Sequence, residues 1–327
     1  MILAGDIGGT HARLGYFQAH NDHLKLLAES VFPSREFRGL DEIVAKFVEA
    51  QAIQPQKACF GIPGPVLHGR AETSNLPWTV EASRLAAELH LPCALLINDL
   101  EANAWGMQDL TEKDFLLLNQ VRTPAAGNQA VIAAGTGLGE AGLYWDGNKY
   151  HVFACEGGHA DFAPRNELEI ELLRYLLRSF DHVSYERIVS GPGLVNVYYF
   201  LRDSGRGAEQ KWLAEEIRDG DAAAAISHAA LAVKCGLAEQ ALDLWISIYG
   251  AEAGNLALKL KATGGVFLGG GIAPKIVPKL VGPLFMQSFL GKGRLRALLE
   301  NIPVKVITND SAALLGAARC AVAQSAC

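Results

Sequence analysis

Short apolar runs recur along the chain, separated by longer segments in which apolar residues repeat at helical spacing. The short runs predict strands and the longer segments predict helices. The predicted strands are residues 2–7, about 12–18, about 25–32, 57–66, 92–97, 130–134, 143–145, 150–153, 264–269 and 304–308. The predicted helices are residues 40–52, 80–89, 101–107, 167–179 and 185–193, and a long helical region is predicted over residues 222–261. Strands that alternate with helices indicate an α/β architecture.

The order of elements in the first part of the chain is repeated in the second. In each part an apolar strand leads into a glycine turn and a further strand, after residue 7 and again after residue 134. The strand before Asn309-Asp310 also resembles the one before Asn98-Asp99, which is further evidence of duplication. Alternatively, the repeat is only a common strand-to-helix cap, because Asn and Asp both favour N-cap positions. We therefore predict a duplicated core in two α/β domains. Residues 1–105 with about 308–327 form the small N-terminal domain, and residues 106–307 form the large C-terminal one.

The first glycine turn, Gly5-Asp6-Ile7-Gly8-Gly9-Thr10, has the features of a phosphate-binding loop. Glycines allow a sharp bend whose N–H groups converge on an anion. Asp6 would tolerate a nearby phosphate only with a cation between them, which points to Mg²⁺ and a nucleotide triphosphate. A Gly-Gly turn is more often a plain hairpin, but Gly135-Thr136-Gly137 repeats the pattern. Two such turns could hold a triphosphate from both sides.

The second turn also begins a match to the dinucleotide-binding motif G-x-G-x-x-G, at residues 137–142. A dinucleotide-binding fold requires this motif to open a helix. Here the motif leads into alternating strands joined by a hairpin turn at Asp146-Gly147-Asn148. The sequence therefore argues against nicotinamide binding.

Two groups of polar side chains could bind a substrate. Asn98 and Asp99 follow a buried apolar strand, where open α/β sheets place ligands, although Asp99 could equally be a helix N-cap. In Glu156-Gly157-Gly158-His159 the two glycines could turn both polar side chains into one cavity. A metal site is the alternative for this segment, but no third ligand lies at suitable spacing.

Glu186 and Asn75 are further candidates, each with a structural alternative. Glu186 could be only a first-turn acid at a helix N-terminus, and Asn75 could belong to a turn. The candidate side chains are mainly neutral or acidic, with few cations among them. Such a set suits the hydroxyl groups of a polyol such as a sugar better than an anionic substrate.

Composition limits the class of protein further. Of the 327 residues, 50% are hydrophobic and 20% are charged, and the net charge is −6, which is typical of a globular protein. This charge favours neither nucleic acid nor an anionic membrane as a partner. No apolar run of about 18 residues predicts a membrane span. The 6 cysteines are scattered without metal-ligand spacing, which favours reduced thiols in the cytoplasm.

Several motifs occur in one order along nearly the whole chain. They are Gly5-Asp6-Ile7-Gly8-Gly9-Thr10, Leu96-Ile97-Asn98-Asp99, Ala134-Gly135-Thr136-Gly137-Leu138-Gly139, Glu156-Gly157-Gly158-His159, Glu186-Arg187-Ile188-Val189-Ser190-Gly191-Pro192-Gly193 and Gly269-Gly270-Gly271-Ile272. Together they resemble the ATP-dependent bacterial glucokinase family of the hexokinase–actin–chaperone ATPase superfamily. The resemblance implies two actin-like (ribonuclease H-like) domains flanking a cleft. It also implies transfer of the γ-phosphoryl group of ATP to the 6-hydroxyl of glucose, the first step of glycolysis.

The same resemblance implies a role for individual residues. The phosphate loops of the family fall on residues 5–10 and 135–137, and its adenosine loop falls on Gly269, Gly270 and Gly271. Its sugar-binding positions fall on Asn98, Asp99, Glu156, His159 and Glu186, with Asp99 as catalytic base. Mg²⁺ is expected near Asp6, held through water. A cytoplasmic homodimer is also implied.

The sequence departs from the family at His11, where Asn is common, and this concerns only a contact beside the phosphate turn. The zinc motif and helix-turn-helix extension of related repressors are absent from the sequence, which argues against a transcriptional repressor. Three alternatives stay open: a kinase for mannose or an N-acetylated hexosamine, a nucleotide-driven chaperone or filament protein, and a sugar-sensing regulator without turnover. The chain has little spare length for the second, and Asp99 disfavours the third.

Overall fold

The computed structural model describes residues 1–20, 23–73, 76–121 and 125–324. The chain divides into two compact units. Unit 1 comprises Met1–Asp114 and Asn309–Cys327, and unit 2 comprises Phe115–Thr308. Unit 1 is thus built from two stretches of chain that are far apart in sequence. In the part of the chain that the structure describes, no helix is long and apolar enough to cross a membrane.

The first stretch of unit 1 alternates strands and helices as the hydrophobic pattern predicts. Its elements are β1 (Ile2–Ile7), β2 (His11–His20), β3 (His23–Pro33), α1 (Leu40–Gln51), β4 (Lys57–Ile62), β5 (Val66–Leu67), β6 (Arg70–Glu72), β7 (Thr79–Glu81), α2 (Ala82–Glu88), β8 (Leu95–Asn98) and α3 (Asp99–Gly106). Residues 79–81 pair with β6 as a strand, so the helix predicted from residue 80 begins slightly later.

The main sheet of unit 1 has the strand order β3-β2-β1-β4-β8. Strand β1 pairs antiparallel with β2 and parallel with β4, which is in turn parallel to β8. Because β1 is covered on both faces, its residues are apolar in succession rather than alternating with polar ones. Leu3 and Ile7 pack into a core shared with α1, and Ile2 and Ala4 pack into a second core on the opposite face. Because the sheet faces are covered, the residues that can reach a ligand are those of the glycine turns and the strand ends.

Unit 2 is larger and mostly helical around its own sheet. Its elements are β9 (Phe115–Leu117), β10 (Gln129–Ala134), β11 (Leu138–Trp145), β12 (Tyr150–Cys155), α4 (Glu167–Leu176), α5 (Gly191–Asp203), α6 (Lys211–Asp219), α7 (Ala222–Leu231), α8 (Gly236–Leu260), β13 (Gly265–Gly269), α9 (Val277–Leu280), α10 (Pro283–Leu290), α11 (Arg296–Leu299) and β14 (Val304–Ile307). Helix α8 runs through the core, where Trp245 and Tyr249 are buried. A fully buried side chain of this type stabilises the fold by about 1.5–3 kcal/mol.

The sheet of unit 2 has the strand order β12-β11-β10-β13-β14-β9. Strand β10 pairs antiparallel with β11 and parallel with β13, and β11 and β12 form an antiparallel hairpin. With the exception of the added edge strand β9, this is the arrangement of unit 1, in which an antiparallel hairpin adjoins parallel strands. The predicted duplication of the core is therefore confirmed in the strand topology.

The last helix, α12 (Ala312–Ala323), belongs to unit 1 and packs against α3 and the buried face of β1. Glycines make the contact between the two helices close. A β-carbon on Gly316 would overlap the carbonyl oxygen of Ala102 and would lie 2.6 Å from the backbone nitrogen of Gly106. A β-carbon on Gly106 would likewise overlap the backbone of Ala312. The backbones of α3 and α12 therefore touch directly.

The helical region predicted over residues 222–261 is present as two helices, α7 and α8, between which Val233 takes a left-handed backbone conformation with φ of 55°. Two other expectations are wrong. Residues 185–193 are not one helix: Tyr185–Arg187 is a 3-10 turn, and α5 starts anew at Gly191 after its N-cap, Ser190. Cys93 is disulfide-bonded rather than reduced, whereas the free thiols among the described residues are Cys59, Cys155, Cys235 and Cys320.

Candidate active site

The first phosphate-turn candidate lies between β1 and β2 in unit 1. The Gly8 N–H donates to the carbonyl of His11 at 2.8 Å, which closes the turn, and Thr10 is exposed. Asp6 pairs across the two strands with Arg13. Burial raises the pKa of the Asp6 carboxyl to about 6, with Arg13 acting to lower it and Asp310 to raise it. A polar carboxyl thus lies beside the glycine turn, as the motif predicts.

Asn98 and Asp99 lie where β8 ends and α3 begins, and the structure separates their local roles. Asn98 is the N-cap: its side chain accepts the N–H of Leu100 at 2.8 Å and donates to the carbonyl of Gly64 at 3.0 Å. Asp99 is the first residue of the helix, is partly buried, and also accepts the Leu100 N–H, at 2.9 Å. The cap that could have explained Asp99 is therefore provided by its neighbour.

The second glycine turn connects β10 to β11 in unit 2. The Gly135 N–H donates to the carbonyl of Gly137, and the Gly135 carbonyl accepts the N–H of Gly191, both at 2.8 Å. Thr136 is exposed at the tip. The G-x-G-x-x-G match runs directly into strand β11, so the argument against a dinucleotide-binding helix is confirmed.

Glu186 connects this turn to the predicted sugar-binding residues. One carboxylate oxygen of Glu186 accepts the N–H of Leu138 at 3.0 Å, and the same oxygen lies 4.0 Å from Nε2 of His159. A β-carbon on Gly137 would lie 3.3 Å from Cδ of Glu186, so the carboxyl group packs directly against the turn. Because α5 begins only at Gly191, Glu186 is not a first-turn acid of that helix; it lies in the separate 3-10 turn Tyr185–Arg187.

The segment Glu156–His159 forms a short turn at the end of the β11–β12 hairpin. Gly157–His159 is a 3-10 turn in which the N–H of His159 donates to the carbonyl of Glu156 at 3.0 Å. The Glu156 and His159 side chains are exposed, whereas Gly158 is buried. The structure therefore brings His159 and Glu186 together, and both polar side chains remain open to a ligand.

The third glycine segment follows β13, the strand next to β10. Gly270 has a φ of 79°, which favours glycine, and a β-carbon there would lie 2.9 Å from the carbonyl carbon of Ala134. The N–H of Ile272 donates to the Ala134 carbonyl at 3.2 Å. The candidate adenosine loop at Gly269, Gly270 and Gly271 is thus attached to the residue that precedes the Gly135 turn. Asn75, the remaining candidate, lies outside the described residues.

Sequence reasoning missed three buried acids of unit 2, one of which, Glu169, forms an ion pair with Arg165. Glu140 on β11 is 1% exposed and Glu252 on α8 is fully buried. Glu252 accepts hydrogen bonds from Asn255 at 2.7 Å and from Lys259 at 3.2 Å. The only signal in the sequence was an acid within the otherwise apolar run from residue 138 to 143. No group of three or more His, Cys, Asp or Glu among the described residues could hold a metal ion.

The two duplicated sheets, each with a glycine turn after its first strand, define an actin-like sugar kinase fold. The chain matches the family model described as Glucokinase over residues 3–324. It is 45% identical to a glucokinase from Nostoc sp., with 98% of each chain covered. The chain belongs to the glucokinase family, which identifies it as an ATP-dependent hexose kinase.

Solved structures agree with this assignment. A glucokinase from an Antarctic psychrotroph has a TM-score of 0.85 and 29% identity, with 99% of each chain covered. A glucokinase of the ROK family from Streptomyces griseus, solved with glucose and AMPPNP, has a TM-score of 0.65 and 22% identity, with 98% of this chain and 99% of that one covered. The second similarity concerns the fold alone.

Proposed function

We propose that this protein transfers the γ-phosphoryl group of ATP to the 6-hydroxyl of glucose, giving glucose 6-phosphate and ADP. The observation that supports this best is the hydrogen bond from the Leu138 N–H to Glu186, which joins a glycine turn suited to phosphate with a carboxylate suited to sugar hydroxyls. Membership in the glucokinase family supports it independently. The product suggests the first step of glycolysis in the cytoplasm.

Each candidate site residue would have a role in binding or in catalysis. The turns at residues 5–10 and 135–137 would bind phosphate through N–H groups and hydroxyls, and Gly269, Gly270 and Gly271 would approach the adenosine. Glu156, His159, Glu186 and Asn98 would bind sugar hydroxyls, as would Asn75. Asp99 would accept the proton of the attacking hydroxyl. Phosphoryl transfer depends mainly on positioning and electrostatics, so most of these groups bind and orient.

Mg²⁺ fits this set of residues. It retains several waters and uses one or two carboxylates together with substrate phosphates, rather than a cage of protein ligands. Asp6 offers such a carboxylate beside the phosphate turn, so it would hold the ion through water. When bound, Mg²⁺ would neutralise phosphate charge.

The test is a coupled assay of ADP release with a panel of sugars and phosphate donors. We expect glucose with ATP to give the highest kcat/KM and to require Mg²⁺. A higher kcat/KM for mannose or an N-acetylated hexosamine would identify that sugar as the substrate in place of glucose. ADP release that no sugar accelerates would contradict sugar kinase activity. Light scattering of the purified protein would test the proposed homodimer, for which one monomer mass would be the contrary result.

Replacing Glu186 with alanine should raise the KM for glucose by about ten-fold or more, because a hydrogen bond to a charged group contributes about 1.5–3 kcal/mol. Steady-state kinetics at saturating ATP would measure this. Glu167→Ala is the control, since Glu167 is an exposed first-turn acid of α4 whose ion pair is with Arg174 of the same helix. If Glu186→Ala lowers only the melting temperature and leaves KM unchanged, Glu186 has no role in sugar binding.

A further inference from the structure

Glu140 is a buried acid to which the proposed function gives no role. It lies on β11 directly opposite Cys155, the last residue of β12, and thus next to the segment that carries Glu156. It is 1% exposed, and its Oε1 atom has no hydrogen-bond partner among the described residues. A buried carboxyl oxygen without a hydrogen-bond partner is costly, so the presence of Glu140 beneath this segment requires an explanation.

The Glu140 carboxyl packs against the turn that follows β12. A β-carbon on Gly157 would overlap the carboxylate and would lie 2.8 Å from its Cδ atom. The next residue, Gly158, packs on the same strand, because a β-carbon there would lie 2.9 Å from the carbonyl carbon of Leu138. Two successive glycines thus rest on Glu140 and Leu138. The height of the turn above the strand is therefore set by these two contacts.

The surroundings of Glu140 favour its uncharged form. Burial and the nearby Glu252 of α8 raise the pKa of Glu140 to about 8, with Lys259 of the same helix acting to lower it. The other titratable groups near it are Cys155 on β12, where burial raises the thiol pKa, and Tyr249 on α8, where burial raises the phenol pKa. At neutral pH the Glu140 carboxyl is therefore largely protonated and can lie against the turn without a counter-charge.

We propose that Glu140 is a positioning residue for sugar binding: its buried carboxyl supports the Gly157–His159 turn and thereby orients Glu156 and His159. This inference rests on the proposed function, since it assigns the two side chains to the sugar. The support requires both the length of glutamate and the absence of charge. An ionised Glu140 would place a second buried negative charge near Glu252, and the turn would have to move to let water reach it.

The test compares pH profiles for wild type and Glu140→Gln. In wild type, if only the protein with neutral Glu140 binds glucose well, the KM for glucose should rise by up to about ten-fold between pH 7 and pH 9, as a pKa of about 8 requires. The variant has nearly the same shape but cannot ionise, so its KM should stay nearly constant over this range. Calorimetric titration of glucose without ATP should give the same contrast in affinity. Glu216→Gln, which changes an exposed acid on α6, should keep the wild-type profile.

A second variant tests the length of the side chain. Glu140→Asp withdraws the carboxyl from Gly157 by one methylene, so it should raise the KM at pH 7 several-fold with a smaller change in kcat. Parallel pH profiles for wild type and Glu140→Gln would overturn the proposal, as would a KM for Glu140→Asp equal to that of wild type. If glucose is not phosphorylated by the wild-type protein at all, the proposed function fails instead, so the two failures are distinguishable.

Discussion

Replacing Asp99 with asparagine should lower kcat by about 10²–10⁴-fold, the usual contribution of a general base. Asparagine has the same size and retains one oxygen that can accept the Leu100 N–H, so the start of α3 should persist. The N-cap of that helix is Asn98, which the substitution leaves in place. We therefore expect a nearly unchanged affinity for glucose and a melting temperature close to that of wild type. Single-turnover phosphorylation and calorimetric glucose binding would measure the two effects separately.

The control for this substitution is Glu101→Gln. Glu101 is the other acid in the first turn of α3, so its neutralisation reports what a negative charge at that helix end contributes. This contribution is typically about 0.3–1 kcal/mol to stability, and we expect kcat within about two-fold of wild type. Equal losses of kcat in the two variants, or near-full turnover by Asp99→Asn, would remove Asp99 from the role of base.

Replacing Gly316 with alanine should destabilise the protein by about 1–2 kcal/mol. Overpacking a well-packed interior typically costs about 1–3 kcal/mol, and here the new methyl group would meet the backbone of Ala102 and Gly106, which cannot rotate away. The better helix propensity of alanine offsets about 1 kcal/mol at most. Because α3 would have to shift and it carries Asp99, kcat should fall as well. Urea unfolding followed by circular dichroism would measure the stability.

Gly236→Ala is the matched control for this change. Gly236 is also helical, at the start of α8, and a β-carbon there meets nothing within 4 Å. The control should keep or slightly raise the stability. An unfolding midpoint for Gly316→Ala equal to that of wild type would show that α3 and α12 can separate without cost.

The local parts of this fold were predictable from sequence because their signals are local. An apolar run that ends in closely spaced glycines predicts a strand and a turn, and both the Gly8 and Gly135 turns were found in this way. Asn98 and Asp99 could be placed at a strand end for the same reason. Which of the two is the cap could not be decided, since both residue types are good caps.

The breaks between helices were harder to predict than the strands and turns. The break before α5 was present in the sequence, since Ser190 followed by Gly191 and Pro192 is an N-cap with proline at the helix start. The prediction of one helix over residues 185–193 overlooked this cap. The left-handed Val233 gave no such signal, because a β-branched residue is rare in that conformation.

The roles of buried groups could not be predicted from the hydrophobic periodicity, because they depend on tertiary contacts between residues far apart in sequence. Glu140 is one acid within an apolar strand, and its environment is set by Gly157 and by Glu252, which is more than 100 residues away in sequence. The contact of α3 with α12 likewise depends on Gly106 and Gly316. These glycines mark two helices that can approach closely, but nothing local indicates that they approach each other.

Helix α12 follows unit 2 in the sequence but belongs to unit 1, and this has a consequence for synthesis on the ribosome. The face of β1 that carries Ile2 and Ala4 is covered by residues such as Leu314 and Ala317, which are translated only after all of unit 2. A nascent chain that stops before residue 312 would leave this apolar face in water. The domain made first is therefore completed last, and its apolar face would need shielding, for example by a chaperone, until then.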